Sequence, residues 1–268
     1  MSEATLTLRL KAFRLPSFVA YYPGMAEQAA EGGWSHVRYL EELASVEATE
    51  RAERRIARLL TESKLGRDKT LATLDTGRFP ARVRTQVASL AEGQFIAGAT
   101  NVCVFGHPGT GKTHVVSALG HELVRQGHSV LFTPVSALVE RLLEAKRELR
   151  LTRELRRLDR IECLILDDIG YVQHDRSEME VLFALLAERY ERRSVMITSN
   201  LVFSQWDQIF KDTMTTAAAI DRVVHHSVIV ELNVKSYRAQ EAQSRSKSPV
   251  KVPAEEAKTN RDDRLPQG

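Results

Sequence analysis

The rhythm of hydrophobic and polar positions changes near residue 70. From Ser35 to Ser63, residues Val37, Leu40, Ala44, Ala48, Ala52, Ile56 and Leu59 recur at three- and four-residue steps, with Glu and Arg between them. That is the helical period, so the stretch predicts a helix or a helix pair with a solvated charged face. Upstream, Leu6 to Phe18 is a shorter apolar and basic pattern expected to stop at Pro16 and Pro23. Gly24, Gly32 and Gly33 mark a loop before the long helix. Residues 1–69 therefore read as a small, helical and separable segment.

Beyond Thr70, short β-rich apolar runs alternate with helical patterns. The runs are Asn101–Phe105, Ser129–Thr133, Glu162–Asp167, Ser194–Ser199 and Ser227–Leu232. Unbroken apolar runs of this length suit strands buried on both faces of a parallel sheet. Their alternation with helices predicts an α/β fold. After Arg238 the chain is rich in Ser, Lys, Glu, Pro and Gln, so 239–268 is expected to be disordered. No internal repeat is evident.

Composition narrows the class. The 268 residues are 43% hydrophobic and 27% charged, enough to bury a sizeable core. No apolar run approaches membrane-spanning length, and the first thirty residues have no signal-peptide pattern, so a cytoplasmic protein with no membrane partner is expected. A net charge of +3 permits a polyanionic partner without requiring one. Cys103 and Cys163 sit in apolar runs and read as buried free thiols. Neither has a second Cys or a His at zinc-ligand spacing.

The sharpest signal is Gly106-His107-Pro108-Gly109-Thr110-Gly111-Lys112-Thr113, a full G-x-x-x-x-G-K-[ST] match. It follows an apolar strand and precedes a helical pattern, as a phosphate-binding loop must. Glycines let successive N–H groups curl inward toward phosphate oxygens, and the helix N-terminus faces the same anion. Lys112 adds a point charge at the β- and γ-phosphates, and the Thr113 hydroxyl is placed to ligate Mg²⁺. ATP and Mg²⁺ are therefore the expected cofactors. The alternative is a chance glycine-rich turn. His107 and His114 flank the loop as hydrogen-bonding residues, not metal ligands.

Two strand ends add to this. Cys163 to Asp168 is an apolar strand ending in two carboxylates, in the crevice where α/β ligands bind. Asp167 would hold the Mg²⁺–water shell and Asp168 would polarise the attacking water. The bland alternative is a solvated Asp-Asp turn. Asn200, at the end of the Ser194–Ser199 run, could hydrogen-bond that water or the γ-phosphate, or could simply be a turn residue. Arg222 could pair with a nearby acid or act as an arginine finger. Arg238 begins a last short helix. His225 and His226 are adjacent, and adjacent residues on a helix or loop are expected to point apart, so they are not read as a metal pair.

Together these features resemble an AAA+ ATPase of the initiator and helicase-loader branch, and most specifically the IstB-like transposition helper family. The resemblance covers about Leu8 to Arg238. It is carried by Gly106–His114, Leu164–Tyr171, Glu188–Arg192 with Ile197–Leu201, Asp221-Arg222 before His225-His226, and Ser236–Arg238. Arg78–Pro80 and Lys69–Leu71 fit as well. The resemblance implies a five-stranded parallel P-loop AAA+ core at 70–238, with the Asn200 strand between the phosphate-loop and acidic strands. It implies an N-terminal helical domain, 1–69, for partner or oligomer contacts. It further implies that Arg222 reaches a neighbour's nucleotide while Arg238 senses its own. A site completed in trans gives a head-to-tail homo-oligomer. Many relatives carry Glu where this chain has Asp168, one methylene longer.

Between Ser136 and Ile161 lie eight basic and five acidic residues. Arg141, Lys146, Arg147, Arg150, Arg153 and Arg157 are candidates for DNA phosphate contacts, since initiator-type relatives carry a DNA-facing helix here. The alternative is a solvated helix laced with i,i+4 ion pairs. The expected function is an ATP-dependent AAA+ ATPase that assembles on double-stranded DNA and assists a transposase. A replicative helicase loader, a nucleotide-gated switch with weak hydrolysis, and more distantly a small-molecule kinase are the rivals.

Overall fold

The computed structural model describes residues 2–170, 175–208 and 223–237. Arg222, Arg238 and the tail from 239 to 268 lie outside the described residues.

Three helices come first: α1 (Glu3–Ala12), α2 (Pro16–Glu31) and α3 (His36–Ser63). Pro16 does not end a helix. It opens α2 from the first turn, where its missing N–H costs nothing. The expected stop at Pro23 also fails, because α2 runs through it to Glu31. Pro23 gives up one intrahelical hydrogen bond, and packing on α3 holds the helix together. The Ser17 N–H donates to Glu47 Oε2 at 2.9 Å, and the Tyr39 hydroxyl donates to the Tyr22 carbonyl at 3.1 Å.

The long helix α3 forms as expected, but its buried face is rotated from the one the apolar period suggests. Val37 and Leu40 are 76% and 58% exposed, and Ala44, Ala48 and Ala52 are also exposed. Leu43 and Glu47 are buried instead, and only toward the C-terminus does the expected period hold, with Leu59 buried. Glu47 is drawn inward by Ser17 and by the guanidinium groups of Arg51 and Arg54. Burial opposes its ionised form, but the Ser17 hydrogen bonds and Arg51 outweigh it and hold the carboxyl below its ordinary pKa. Toward its C-terminus α3 leaves α2, and Ile56 and Leu59 join the apolar layer of the sheet.

The sheet has five parallel strands: β1 (Asn101–Phe105), β2 (Val130–Pro134), β3 (Cys163–Asp167), β4 (Ser194–Ser199) and β5 (Ser227–Glu231). Their order is β2-β3-β4-β1-β5, so β4 lies between the phosphate-loop strand and the acidic strand, as the resemblance implies. Each strand falls within one residue of its apolar run. Alternate side chains of one strand enter opposite layers. Val102 and Val104 pack with α4 (Ala81–Ala91) and α5 (Lys112–Arg125). Cys103 and Phe105 pack with α6 (Val135–Arg147), α7 (Leu151–Asp159) and α8 (Arg176–Arg189). Helices on both faces explain the lack of polar alternation. Cys103 and Cys163 are buried free thiols, and burial pushes both up to about 12.

One buried charge ties the second layer to the sheet. Arg189, 1% exposed, donates to the carbonyls of Leu158, Ile161 and Ser194 at 2.9, 3.0 and 2.9 Å. Burial lowers its pKa to about 10. The guanidinium satisfies carbonyls where α7, β3 and β4 meet, which anchors the acidic strand. Among the described residues, no helix is long and apolar enough to cross a membrane.

Candidate nucleotide site

Parallel strands put all their carboxyl ends on one edge, and the candidate residues follow β1, β3 and β4 there. The loop after β1 is tightly built. A Cβ at Gly106 would sit 2.7 Å from Thr110 Oγ1 and 2.9 Å from the Leu232 carbonyl, so only glycine fits. Gly109 and Gly111 have φ of 80° and 99°, and the latter opens α5. Lys112 is buried and reaches back along the loop. Its Nζ donates to the carbonyls of Gly106 at 2.8 Å and His107 at 3.2 Å. The Thr110 hydroxyl donates to the same His107 carbonyl at 2.9 Å.

The Thr113 hydroxyl lies 3.0 and 3.1 Å from the two carboxylate oxygens of Asp167. A hydroxyl and a carboxylate held this way form the oxygen donor set of a Mg²⁺ shell. Thr198, on β4, locks the carboxylate. Its hydroxyl donates to Asp167 Oδ1 at 2.6 Å and accepts from the Asp168 N–H at 2.8 Å. Asp168 itself has φ of 63°, a left-handed conformation that turns the chain sharply after β3 and leaves its side chain exposed.

Asn200 follows β4. Its Oδ1 is buried and has no hydrogen-bond partner. Gly170 makes room for it, since a Cβ there would lie 2.4 Å from that oxygen. Pro108 to His114, Asp168 and Asn200 all border one cavity of about 500 Å³. An unsatisfied buried acceptor in a polar cavity calls for a donor such as water. The His114 Nε2 lies 3.2 Å from the Thr70 carbonyl and 3.1 Å from Thr73 Oγ1, so its ring braces the wall. His107 contributes its carbonyl to the loop, and its side chain is exposed.

The far end of this cavity was not anticipated residue by residue. Leu74, Arg78, Phe79, Val234 and Tyr237 line it. Arg78 donates to the Lys235 carbonyl at 2.9 Å, and its guanidinium lies 5.1 Å over the Tyr237 ring. The Tyr237 N–H donates to the Gly109 carbonyl at 2.8 Å. The segment after β5 is thus pinned to the phosphate loop. The only sequence signal was the pair of short stretches Arg78–Pro80 and Ser236–Arg238.

Elsewhere, α6 and α7 form a hairpin. Two of its candidate basic residues pair outside their own helix. Arg141 pairs across the hairpin with Glu154, and Lys146 reaches Glu180 of α8 at 2.5 Å. Arg150 pairs with Glu148, and Arg157 lies 4.0 Å from Glu154. Arg147 and Arg153, with Arg156 and Arg160, are exposed and carry no ion pair among the described residues. His225 and His226 overturn an expectation: they do not point apart. Their ring centroids are 4.4 Å apart at 85°.

The model of the family described as IstB-like ATP binding protein matches residues 8–246. A protein described as an insertion-sequence ATP-binding protein from Sinorhizobium fredii is 44% identical over 90% of this chain and 82% of its own. One described as ATP-binding in the insertion sequence IS21 of Pseudomonas aeruginosa is 36% identical, covering 88% and 89%. Among solved structures, AMPPCP-bound DnaA from Aquifex aeolicus superposes with a TM-score of 0.54 at 18% identity, covering 69% and 56%. DnaI does so at 0.53 and 21%, covering 63% and 95%. At these identities the structural likeness speaks for the AAA+ P-loop fold alone.

Proposed function

Since the chain belongs to the family of IstB-like ATP-binding proteins, we propose that it hydrolyses ATP within an insertion sequence, assembling on duplex DNA to assist a transposase. The observation that carries the hydrolytic reading is that Asn200, whose Oδ1 is buried and unpaired, borders the same cavity as Lys112, Thr113 and Asp168. A site that only held nucleotide would have no need of a buried acceptor at that point.

In this reading the loop N–H groups from Gly109 to Thr113 bind the phosphates, and Lys112 exchanges its carbonyl partners for phosphate oxygens. Thr113 and Asp167 would hold Mg²⁺, which supplies neutralising charge at the phosphates. Asn200 accepts one hydrogen of a water, and Asp168 takes a proton from it as it attacks. Arg222 completes a neighbour's site and Arg238 senses its own, so assembly and turnover are coupled. Residues 1–69 provide contacts to a partner or to the next subunit, and 70–238 form the ATPase unit.

For DNA, the free charges are the ones that matter. Arg147, Arg153, Arg156 and Arg160 would contact phosphates, whereas Arg141 clamps the hairpin. Fluorescence anisotropy of labelled single- and double-stranded DNA, with ATP, with ADP and without nucleotide, tests this. Tight duplex binding only with ATP is expected, weakening steeply with salt. A preference for single strands would favour a helicase-loader role instead, and no binding in any state would leave a protein-partner switch.

The hairpin tip carries a separate expectation. Leu149 has φ of 56° and is 95% exposed, at the position where helices usually end in glycine. Its N–H donates to the Lys146 carbonyl at 3.1 Å, and the next N–H donates to Ala145 at 2.7 Å. Leu149→Gly should relieve the left-handed strain, worth roughly 1–2 kcal/mol. Glycine's extra unfolded-state entropy takes back part, about 0.5–1 kcal/mol. A rise in the urea midpoint with unchanged slope would show the gain, and a fall would show that the tip is not strained.

A further inference from the structure

Two of the stretches singled out in the sequence have no part in the nucleotide site, namely Glu188–Arg192 and His225-His226. The fold brings them together. Glu191 follows α8, in the turn before β4, and the two histidines immediately precede β5. Both places lie at the amino ends of parallel strands, on the edge of the sheet opposite the phosphate loop.

We propose that Glu191, His225 and His226 form a binding site for a divalent cation of the zinc class. One ligand atom from each residue lies within 4.8 Å of the others. His226 Nε2 is 3.2 Å from Glu191 Oε1. Tetrahedral zinc with bonds near 2.0–2.2 Å places neighbouring ligand atoms about 3.3 Å apart, so this pair already stands at ligand spacing. Two imidazoles and one carboxylate are an established donor set for zinc, with a fourth position left for water.

Three further observations favour a cation over a chance surface contact. Glu191 has φ of 54°, a conformation unfavourable for glutamate, and its carboxylate makes no ion pair with the arginines beside it among the described residues. Those arginines are engaged elsewhere: Arg192 pairs with Asp159 and Glu188, and Arg193 donates to the Asp159 carbonyl. Among the described residues, the one side chain recorded against the Glu191 carboxylate is therefore the His226 ring. The two rings also pack edge to face at 4.4 Å, which brings both imidazoles to the same side of the turn as Glu191. Finally, the Tyr190 oxygen lies 3.4 Å from His225 Nδ1. With the Tyr190 oxygen accepting from that N–H, His225 Nε2 would be the ligating atom, the usual support for a metal-bound histidine.

A cation here would staple the end of α8 to the chain entering β5, segments 35 residues apart in sequence. The role is structural and independent of ATP. It is tested on the full chain after chelator treatment, without nucleotide and with excess Mg²⁺ to fill oxygen-only sites. Co²⁺ is titrated and followed by its visible absorption, and Zn²⁺ is then added to displace it. One equivalent should bind with the intense bands of a tetrahedral site and be displaced by Zn²⁺. His225→Ala, His226→Ala and Glu191→Gln should each weaken binding at least tenfold, and Tyr190→Phe by about tenfold. His128→Ala, altering a histidine paired with Glu162, should leave it unchanged. Absence of any Co²⁺ or Zn²⁺ binding overturns the proposal. So does binding that survives both histidine substitutions. All three ligands are exposed, so the variants should keep the parent circular dichroism and isolate the metal effect.

Discussion

Lys112→Ala should raise the dissociation constant for ATP by two orders of magnitude or more while the protein remains folded. The ammonium is the one full positive charge buried within the phosphate loop, and it is 6% exposed. Charge-assisted hydrogen bonds contribute about 1.5–3 kcal/mol each. Losing contacts to two phosphate groups removes roughly 3–6 kcal/mol, and each 1.4 kcal/mol is tenfold in affinity. The same side chain also satisfies the carbonyls of Gly106 and His107. Lys112 itself lines the cavity, from which water can replace the ammonium, so the stability cost is about 1 kcal/mol. Lys112→Arg separates the two roles. It keeps the charge, but its planar fork does not fit the space of a compact ammonium, so affinity should fall while stability holds. Anisotropy of a fluorescent ATP analogue, read beside the thermal midpoint, gives both numbers. An affinity within threefold of the parent would mean that the loop N–H groups alone hold the nucleotide.

The parts of this site legible in the sequence are those fixed by local chemistry. The glycines of the loop are needed wherever the backbone must curl around phosphate, and the strand before it is apolar because both its faces are covered. Val104 and Phe105 enter opposite layers, so no polar residue interrupts the run. For the same reason all five strands could be bounded to within one residue. The helical segment was less transparent. Its period is real, but a period does not fix which face is buried. Leu43 wins over Leu40 because Ser17 recruits Glu47, and nothing near Glu47 in the sequence announces a partner 30 residues away. Pro23 misleads for a related reason, since packing against α3 overrides a local stop signal. The far wall of the cavity was hidden by distance. Arg78 meets the segment after β5 across 157 residues, and neither stretch is informative alone. The expectation that neighbouring histidines diverge failed at His225 and His226, which leave a helical turn and enter a strand, so the backbone changes direction between them.

Asp168→Asn should leave ATP binding intact and slow hydrolysis by about 10²–10⁴-fold, the usual contribution of a general base. The substitution is unusually clean for a structural reason. Asp168 occupies the left-handed region, which asparagine tolerates at least as well as aspartate. Its N–H remains free to donate to Thr198, so the Thr198–Asp167–Thr113 chain of contacts is preserved. Any loss of turnover is then chargeable to the missing proton acceptor and not to a displaced Asp167. Asn200→Ala forms the complementary test. It removes the orphaned acceptor, relieves a buried unsatisfied oxygen, and so should hold or raise stability while turnover falls. Asp168→Glu extends the carboxylate by one methylene and asks whether reach limits the parent's rate. Steady-state phosphate release, measured with binding held at saturation, distinguishes these cases. If Asp168→Asn hydrolyses ATP at the parent rate, the water is activated elsewhere, and the exposed aspartate serves only the turn after β3.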